Sequence, residues 1–483
     1  MKKFLTAILF IFILFSISYG ATPANRTNNA NSTAAEAPPD DSFIPDLNTP
    51  QQTQENEELA GYSLSSIIKK IIRVSPLLNA NRSAEDIYKA KIKQIQAERD
   101  PTLSFETILL PIPNIPTAVA GQTWLDTINF KRWGLAHRTS FTLSLPLYTF
   151  GRTDNALTAA RSGLRMEQIT SASARTNLVV EIKKYYYGYL LAYSMKEYIL
   201  KTVMEKLNSS LSKAEKNYKQ GKGKKTDLYS LNIMKLMLQG QELEINKNLT
   251  LAQRAFKIFM EIPEDHTFKI REDIIVETPF VLRPVEDYIE MAYRNNDNYQ
   301  KLQHGLVARR ALMDYQRVQN NPVLFIALQA YYQSRITRID VSGVFDNADS
   351  FRVFLGLGLR WGNNLTKQRH IISEAQAEYN KLESEYKAYK QKLPLDVRSA
   401  YMEVKTAKEK MKLAEEAFLN GKKWMLHSYR MYMIDSANTD ELTAGFNQYA
   451  QTRRAYFQSI FDFNMAIANL SRLIGVELSP VRY

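Results

Sequence analysis

Between Pro146 and Pro263 lie 116 residues without a single proline. Proline ends helices reliably, because its ring removes a backbone donor and clashes with the preceding turn. Inside this stretch the clear turn signal is Gln220-Gly221-Lys222-Gly223. The 68 residues from Arg152 to Lys219 are therefore expected to form one helical rod of roughly 100 Å, at 1.5 Å per residue. No globular domain needs an element of that length. Leu231, Leu238, Ile245, Ala252 and Phe259 fall seven apart, as do Leu442, Tyr449, Tyr456, Phe463 and Leu470. Such spacing gives helices packed as coiled coils.

The same plan is written twice. Asp86 through Arg99-Asp100-Pro101, followed by alternating Leu103, Phe105 and Thr107, returns 221 places later as Arg310-Ala311 through Asn320-Asn321-Pro322 with Leu324, Ile326 and Leu328. Glu181-Ile182 to Tyr186 matches Asp396-Val397 to Tyr401 at a shift of 215, and Tyr218 with Thr226-Asp227-Leu228 matches Tyr432 with Asp440-Glu441-Leu442 at 214. Matches that keep chain order with so little drift indicate a tandem duplication. The expected organisation is a first repeat over 62–262, an inter-repeat segment over 263–283, a second repeat over 284–478 and a tail over 479–483. Pro394 falls inside the second rod and predicts a kink or register break there.

Each repeat offers two strands, near 102–112, 137–149, 323–333 and 351–361. Phe351, Val353, Leu355, Leu357 and Leu359 make one face apolar, while Arg352, Phe354, Gly356, Gly358 and Arg360 alternate with them. About ten tilted residues suffice for a strand to cross a bilayer. A single such hairpin reads more simply as a sheet on a soluble core; two hairpins beside rods of this length point to membrane strands. An open sheet edge in lipid leaves backbone groups unpaired, and four strands are too few to close, since the smallest such barrels have about eight. Closure would take several chains, and three would supply twelve strands.

Composition sets the compartment and excludes other chemistry. Met1-Lys2-Lys3, an apolar run from Phe4 to Ile17 and small residues at Ser18 and Gly20 read as a secretory signal peptide over 1–20. Residues 21–61 are polar and acidic with almost no aromatics, and are expected to be a disordered leader. The net charge is +13 for the whole chain, and its basic residues are scattered among carboxylates along helical stretches, the pattern of a solvated surface. With an exported chain, that argues against a nucleic-acid partner. A mean hydropathy of −0.33 excludes a polytopic helical membrane protein. The absence of cysteine excludes disulfides, thiolate sites and a lipidated N-terminal cysteine. Five histidines without metal-ligand spacing predict no metal site. Gly223-Lys224-Lys225-Thr226 lacks both the earlier glycine and the hydroxyl residue required after the first lysine of a phosphate loop. Neither an enzyme nor a cofactor is expected.

The duplicated helix–strand–strand–helix–helix plan, the passage Leu145-Pro146-Leu147-Tyr148-Thr149-Phe150-Gly151-Arg152 and the hairpin tips give the chain its likeness. Over residues 62–478 it resembles the TolC-like outer-membrane efflux and secretion channels. The resemblance implies a mainly α fold with a small transmembrane β part. It also implies a homotrimer with a twelve-stranded β-barrel in outer-membrane lipid and an α-helical barrel in the periplasm. The implied partners are a periplasmic adaptor and an inner-membrane pump of RND, ABC or MFS type, in a tripartite efflux pump or a type I secretion system.

It further implies a gate at the coiled-coil tips, with Thr226 and Asp227 on the first hairpin, Tyr432 on the second, and Glu441 beside Asp440 at an acidic ring. Two positions depart from the pattern: Ala437 stands where an arginine is expected, and Ala444 where a second acid is expected. Lys224, Lys225 or Arg430 are the available substitutes against Asp227. Helix capping is the other reading of Thr226 and Asp227. The basic tip Lys222, Lys224 and Lys225 is either an adaptor-docking surface or a solvated turn. An exported coiled-coil scaffold or adhesin without channel activity is the alternative for the whole chain.

Overall fold

The two halves begin with matching helix pairs. In the computed structural model α1 (Leu64–Val74) and α2 (Pro76–Ala97) have 11 and 22 residues, and α6 (Val285–Asn295) and α7 (Asp297–Val318) have the same lengths 221 places on. Local chemistry starts them alike. Ser63 caps α1 by accepting from the Ser66 amide at 3.3 Å, and Asn296 caps α7 by accepting from the Tyr299 amide at 2.9 Å. The structure describes residues 61–114, 125, 128–335, 350–362 and 364–479. All of these lie in the second of two units into which the chain divides, 1–54 and 55–483. The signal peptide, nearly all of the leader, and residues 480–483 fall outside the described residues.

Each helix pair leads into two strands. β1 (Thr102–Asn114), β2 (Asn129–Tyr148), β3 (Val323–Arg335) and β4 (Ser350–Arg360) form one antiparallel sheet in chain order. β2 starts eight residues earlier than the apolar alternation predicts, because Leu135, Gly134 and Trp133 continue the pairing with β1 and Asn129 resumes it beyond an irregularity. The two halves meet at β2–β3, where Phe141 lies opposite Ala330 and Leu143 opposite Leu328. β1 and β4 remain the edges.

The rods follow. α3 (Arg152–Met195), a five-residue π turn (Lys196–Leu200) and α4 (Lys201–Lys219) run without a break, so the predicted 68-residue rod is present but carries a π turn. α5 (Lys225–Phe259) returns from its tip. In the second half α8 (Leu365–Met433) has 69 residues, and α9 (Thr439–Ile474) returns. Phe150 and Gly151, with φ of 50° and 83°, turn the chain sharply from β2 into α3.

The helix runs through Pro394, so the register break predicted there is absent. A proline at 394 leaves the carbonyl of residue 390 without its helical donor. Tyr293 of α6 fills that vacancy, donating its hydroxyl to the Lys390 carbonyl at 3.2 Å. The flanking Leu393 and Val397 are fully buried. The irregularity sits instead in the first half. A π turn holds one residue more than an α turn, and this accounts for the repeat shift falling from 215 before Lys196–Leu200 to 214 after it.

Two apolar clusters hold the rods. The larger joins α1, α3, the end of α5, the inter-repeat segment, α6, α8 and α9 around Ile67, Ile182, Phe256, Tyr288, Val397 and Phe463. The inter-repeat segment is stitched in by backbone bonds between Tyr62 and both Lys269 and Arg271. Asn464 bonds the Thr278 amide and the Val276 carbonyl at 2.8 and 2.9 Å. Lys183, 2% exposed, donates to both carboxylate oxygens of Glu477 at 2.8 Å and so ties the chain end to α3. The second cluster lies toward the tips, with Leu207, Leu231, Phe418, Leu442 and Phe446 at its centre. Both heptad series predicted from the sequence point into these clusters.

Gly475 closes α9 in the left-handed conformation, φ 70°, and a Cβ there would lie 2.2 Å from the Asn295 carbonyl oxygen. Gly475→Ala is therefore expected to cost about 1–3 kcal/mol from backbone conformation and the clash together. Thermal unfolding followed by circular dichroism measures it, and a melting temperature equal to wild type contradicts the assignment.

Candidate functional site

The hairpin tips are built alike. After α4, Gly221 takes φ 75° and the Lys222 amide bonds the Asn217 carbonyl at 2.9 Å; after α8, Asp435 takes φ 60° and the Ser436 amide bonds the Met431 carbonyl at 2.9 Å. Both are Schellman-type endings, in which a left-handed residue lets the chain reverse while satisfying the last carbonyls. The second tip spends an aspartate where the first spends a glycine. Backbone conformation thereby puts a carboxylate at the point of the turn.

That carboxylate meets a residue the sequence reading missed. Lys213 of α4 reaches across to the second hairpin, with Nζ 2.6 Å from Asp435 Oδ1 and donating to the Tyr432 carbonyl at 2.5 Å. Its ammonium also sits over the Tyr432 ring, 5.2 Å from the centroid. Lys213 is only 15% exposed and Asp435 is 72% exposed, so the buried end of the link is the one made to Tyr432. Asn217 adds a long contact to Asp435 at 3.5 Å. One turn-pair earlier, Lys206 lies 4.6 Å from the Tyr429 ring. The side-chain hydrogen bond and charge of Lys213 hold the Asp435 carboxyl below the usual carboxylate range. This pairing is in force above that range and fades as pH falls through the lowered value. No local motif announces Lys213, whose partners lie 219 and more residues away.

The expected gate residues are distributed around this link. Tyr432 is 8% exposed, packed in the tip cluster, with its hydroxyl bonded to Thr439. Burial pushes its hydroxyl pKa up, and the carboxylates of Asp227 and Asp435 push in the same direction. Asp227 and Tyr432, predicted on different hairpins, are thus brought within electrostatic reach. Thr226 is exposed in the first turn of α5 and does not cap it; Lys224 occupies the cap position, with no side-chain cap bond. Asp227 lies in that first turn, where the helix dipole favours a negative charge. Among the described residues no ion pair joins Asp227 to Lys224, Lys225 or Arg430, and Lys225 lies over the Tyr229 ring at 5.7 Å. The ion pair that does form at the tip is that of Lys213 with Asp435, which the left-handed turn directs toward it.

Asp440 and Glu441 are exposed in the first turn of α9, where Asn438 caps the helix by accepting from the Glu441 amide at 2.8 Å. Lys222, Lys224 and Lys225 are exposed. Among the described residues no helix is long and apolar enough to cross a membrane. There too, no group of three acidic, histidine or cysteine side chains is placed to hold a metal ion. One exposed apolar surface lies on the sheet: Phe351, Val353, Leu355, Leu357 and Leu359 are 53–72% exposed along one face of β4. Leu103 and Phe105 are exposed on the same face of β1.

Residues 113–252 match the family model described as outer membrane efflux protein. Over that stretch the chain is similar to the outer membrane efflux proteins. No curated protein sequence matches it, and the solved structures it resembles are distant. The outer-membrane channel OprN is 13% identical with a TM-score of 0.71, covering 95% of this chain and 100% of its own. The Campylobacter jejuni CmeC outer membrane channel is 13% identical with a TM-score of 0.69, covering 94% and 96%. The Vibrio cholerae outer membrane protein VceC is 15% identical with a TM-score of 0.68, covering 86% and 97%. At such identities these likenesses carry the fold: long helices and four antiparallel strands over nearly the whole chain. The matched stretch runs from the end of β1 into α5, and the fold around it is the one found in those outer-membrane channels.

Proposed function

We propose that the chain is the exit duct of a tripartite efflux pump or type I secretion system, a homotrimer gated at its periplasmic tips and docked to an adaptor and an inner-membrane pump. The observation that carries this reading is a four-stranded sheet with two open edges and an exposed apolar face, borne on continuous rods of 68 and 69 residues. Such a sheet needs partners on both edges, and two further copies supply them. α5 offers a matching seam. Tyr229, Ile233, Leu236, Gly240 and Leu243 alternate at four and three residues, and the four large side chains are exposed in the protomer. Within each chain, residues 62–262 and 284–478 are the two repeats, so a trimer presents six similar hairpins. The tip lysines 222, 224 and 225 form the adaptor surface in this reading.

The gate is the set Thr226, Asp227, Tyr432, Asp440 and Glu441, with Lys213 and Asp435 added by geometry. Removing bulk by Tyr432→Ala is expected to raise resting conductance in a planar bilayer, while Glu441→Ala weakens cation selectivity and block by multivalent cations. Unchanged currents would reduce Tyr432 to a packing residue; unchanged selectivity would remove Glu441 from the ring. Oligomeric state tests the assembly itself. Detergent-extracted protein is expected to run as a trimer, and cysteines introduced at Leu236 and on α8 to cross-link between chains. A water-soluble monomer overturns the proposal.

A further inference from the structure

The apolar face of the sheet fixes which residues look the other way. Register places Glu106 opposite Ser140, Ser140 opposite Tyr331 and Tyr331 opposite Arg352, one row across all four strands. By the two-residue alternation, Arg138 and Arg360 share this face with Phe325 and Phe354. Within the paired register this face carries four arginines, at 138, 335, 352 and 360, and one glutamate, and the apolar face carries no Asp, Glu, Lys or Arg. In a trimer the paired register would present twelve arginines against three glutamates on the enclosed face.

Two of the arginines are held by rings. Arg138 lies 5.2 Å from the Tyr331 centroid, and Tyr331 stacks on Phe354 at 5.8 Å and 19°. Arg360 lies 4.9 Å from the Phe325 ring, which covers Gly358 so closely that a Cβ there would come within 2.6 Å of it. Glycine lets the ring lie flat on the wall and support the guanidinium. Among the described residues the arginine ion pairs are those of Arg99, Arg294, Arg309 and Arg317, none of them on the sheet. A guanidinium keeps its charge whatever surrounds it and stacks well on aromatic faces. A narrow water-filled barrel lined by such groups concentrates anions. Phe354, half exposed, ends the Arg138–Tyr331–Phe354 stack with an open aromatic surface.

We infer that the barrel lumen is an anion-favouring exit, in which the Arg138–Tyr331–Phe354 stack with Arg352 favours organic anions bearing a planar ring. The inference rests on the trimeric channel reading and assigns that channel a substrate class. It also places two opposite filters in series, carboxylates at the tip and arginines at the barrel.

The test uses the full-length trimer in a planar bilayer, with 2-naphthalenesulfonate or 1-naphthylmethylammonium added on the barrel side. The sulfonate is expected to block at about tenfold lower concentration than the ammonium, as charge-assisted contacts with stacked arginine would give. Arg138→Gln and Arg352→Gln are each expected to weaken sulfonate block about threefold and to move the reversal potential in a KCl gradient toward potassium. Equal block by both probes in the wild-type channel, which needs no variant to fold, overturns the inference. So do reversal potentials and block unchanged in both variants. Either result with normal current leaves the channel reading standing, whereas a wild-type trimer that carries no current overturns both.

Discussion

Lys213→Ala is expected to raise the resting open population of the reconstituted channel by about a hundredfold or more, if the three tips release together. Each protomer loses a charge-assisted bond from a largely buried ammonium to the Tyr432 carbonyl, worth about 1–2 kcal/mol. The exposed partner Asp435 adds well under that, because solvent screens it. Lys213→Arg keeps a donor and a cation over the Tyr432 ring and should stay close to wild type, and Asp435→Asn should open the tip only slightly. The pH dependence follows from the lowered Asp435 carboxyl. Its contribution to closure is complete above the ordinary carboxylate value of 3.8 and is lost only as pH falls below it. Single-channel recordings at neutral pH measure all three variants. A Lys213→Ala channel that stays shut while Tyr432→Ala opens would show that closure runs through packing and not through this link.

Leu357→Arg is expected to have the largest effect on assembly. Leu357 projects from the apolar face of β4, 72% exposed and opposite Ile326. A charge near the middle of the lipid-facing band of a barrel costs about 2–4 kcal/mol per copy, and a trimer holds three copies. The fraction of protein found as heat-resistant trimer in the outer membrane should collapse. Its neighbour supplies the control: Gly356 points to the opposite face, with no atom within 4 Å of a Cβ built there, so Gly356→Ser should assemble normally. Equal tolerance of both changes would mean that the exposed apolar face does not meet lipid.

The features legible in the sequence were those written in period and punctuation. The absence of proline from 147 to 262 foretold the rod, and the alternation at Phe351–Leu359 foretold β4 and its exposed face. The one-residue drift between repeats was visible as arithmetic, but its cause, a π turn at Lys196–Leu200, was not, since no residue type marks an extra residue in a helix. Sequence shows only the local effect of Pro394 on its own helix. What lets the helix pass it is a hydroxyl on Tyr293, about a hundred residues away. The tip shows the same limit. Tyr432 and Asp227 could be placed by repeat position, whereas Lys213 is identified only by the left-handed Asp435 that aims a carboxylate at it. The lumen arginines required register, because only pairing shows that Arg138, Arg352 and Arg360 share a face.

The central claim is that three copies of this chain enclose a gated pore. It is tested most directly by planar-bilayer recording from the full-length protein extracted from membranes, with its mass in detergent determined on the same sample. The account predicts a particle of three 55.6 kDa chains, less any segment removed on export, whose small resting current rises when the tip link is cut at Lys213. A monomeric particle with no current in either the wild-type or the Lys213→Ala form would contradict it.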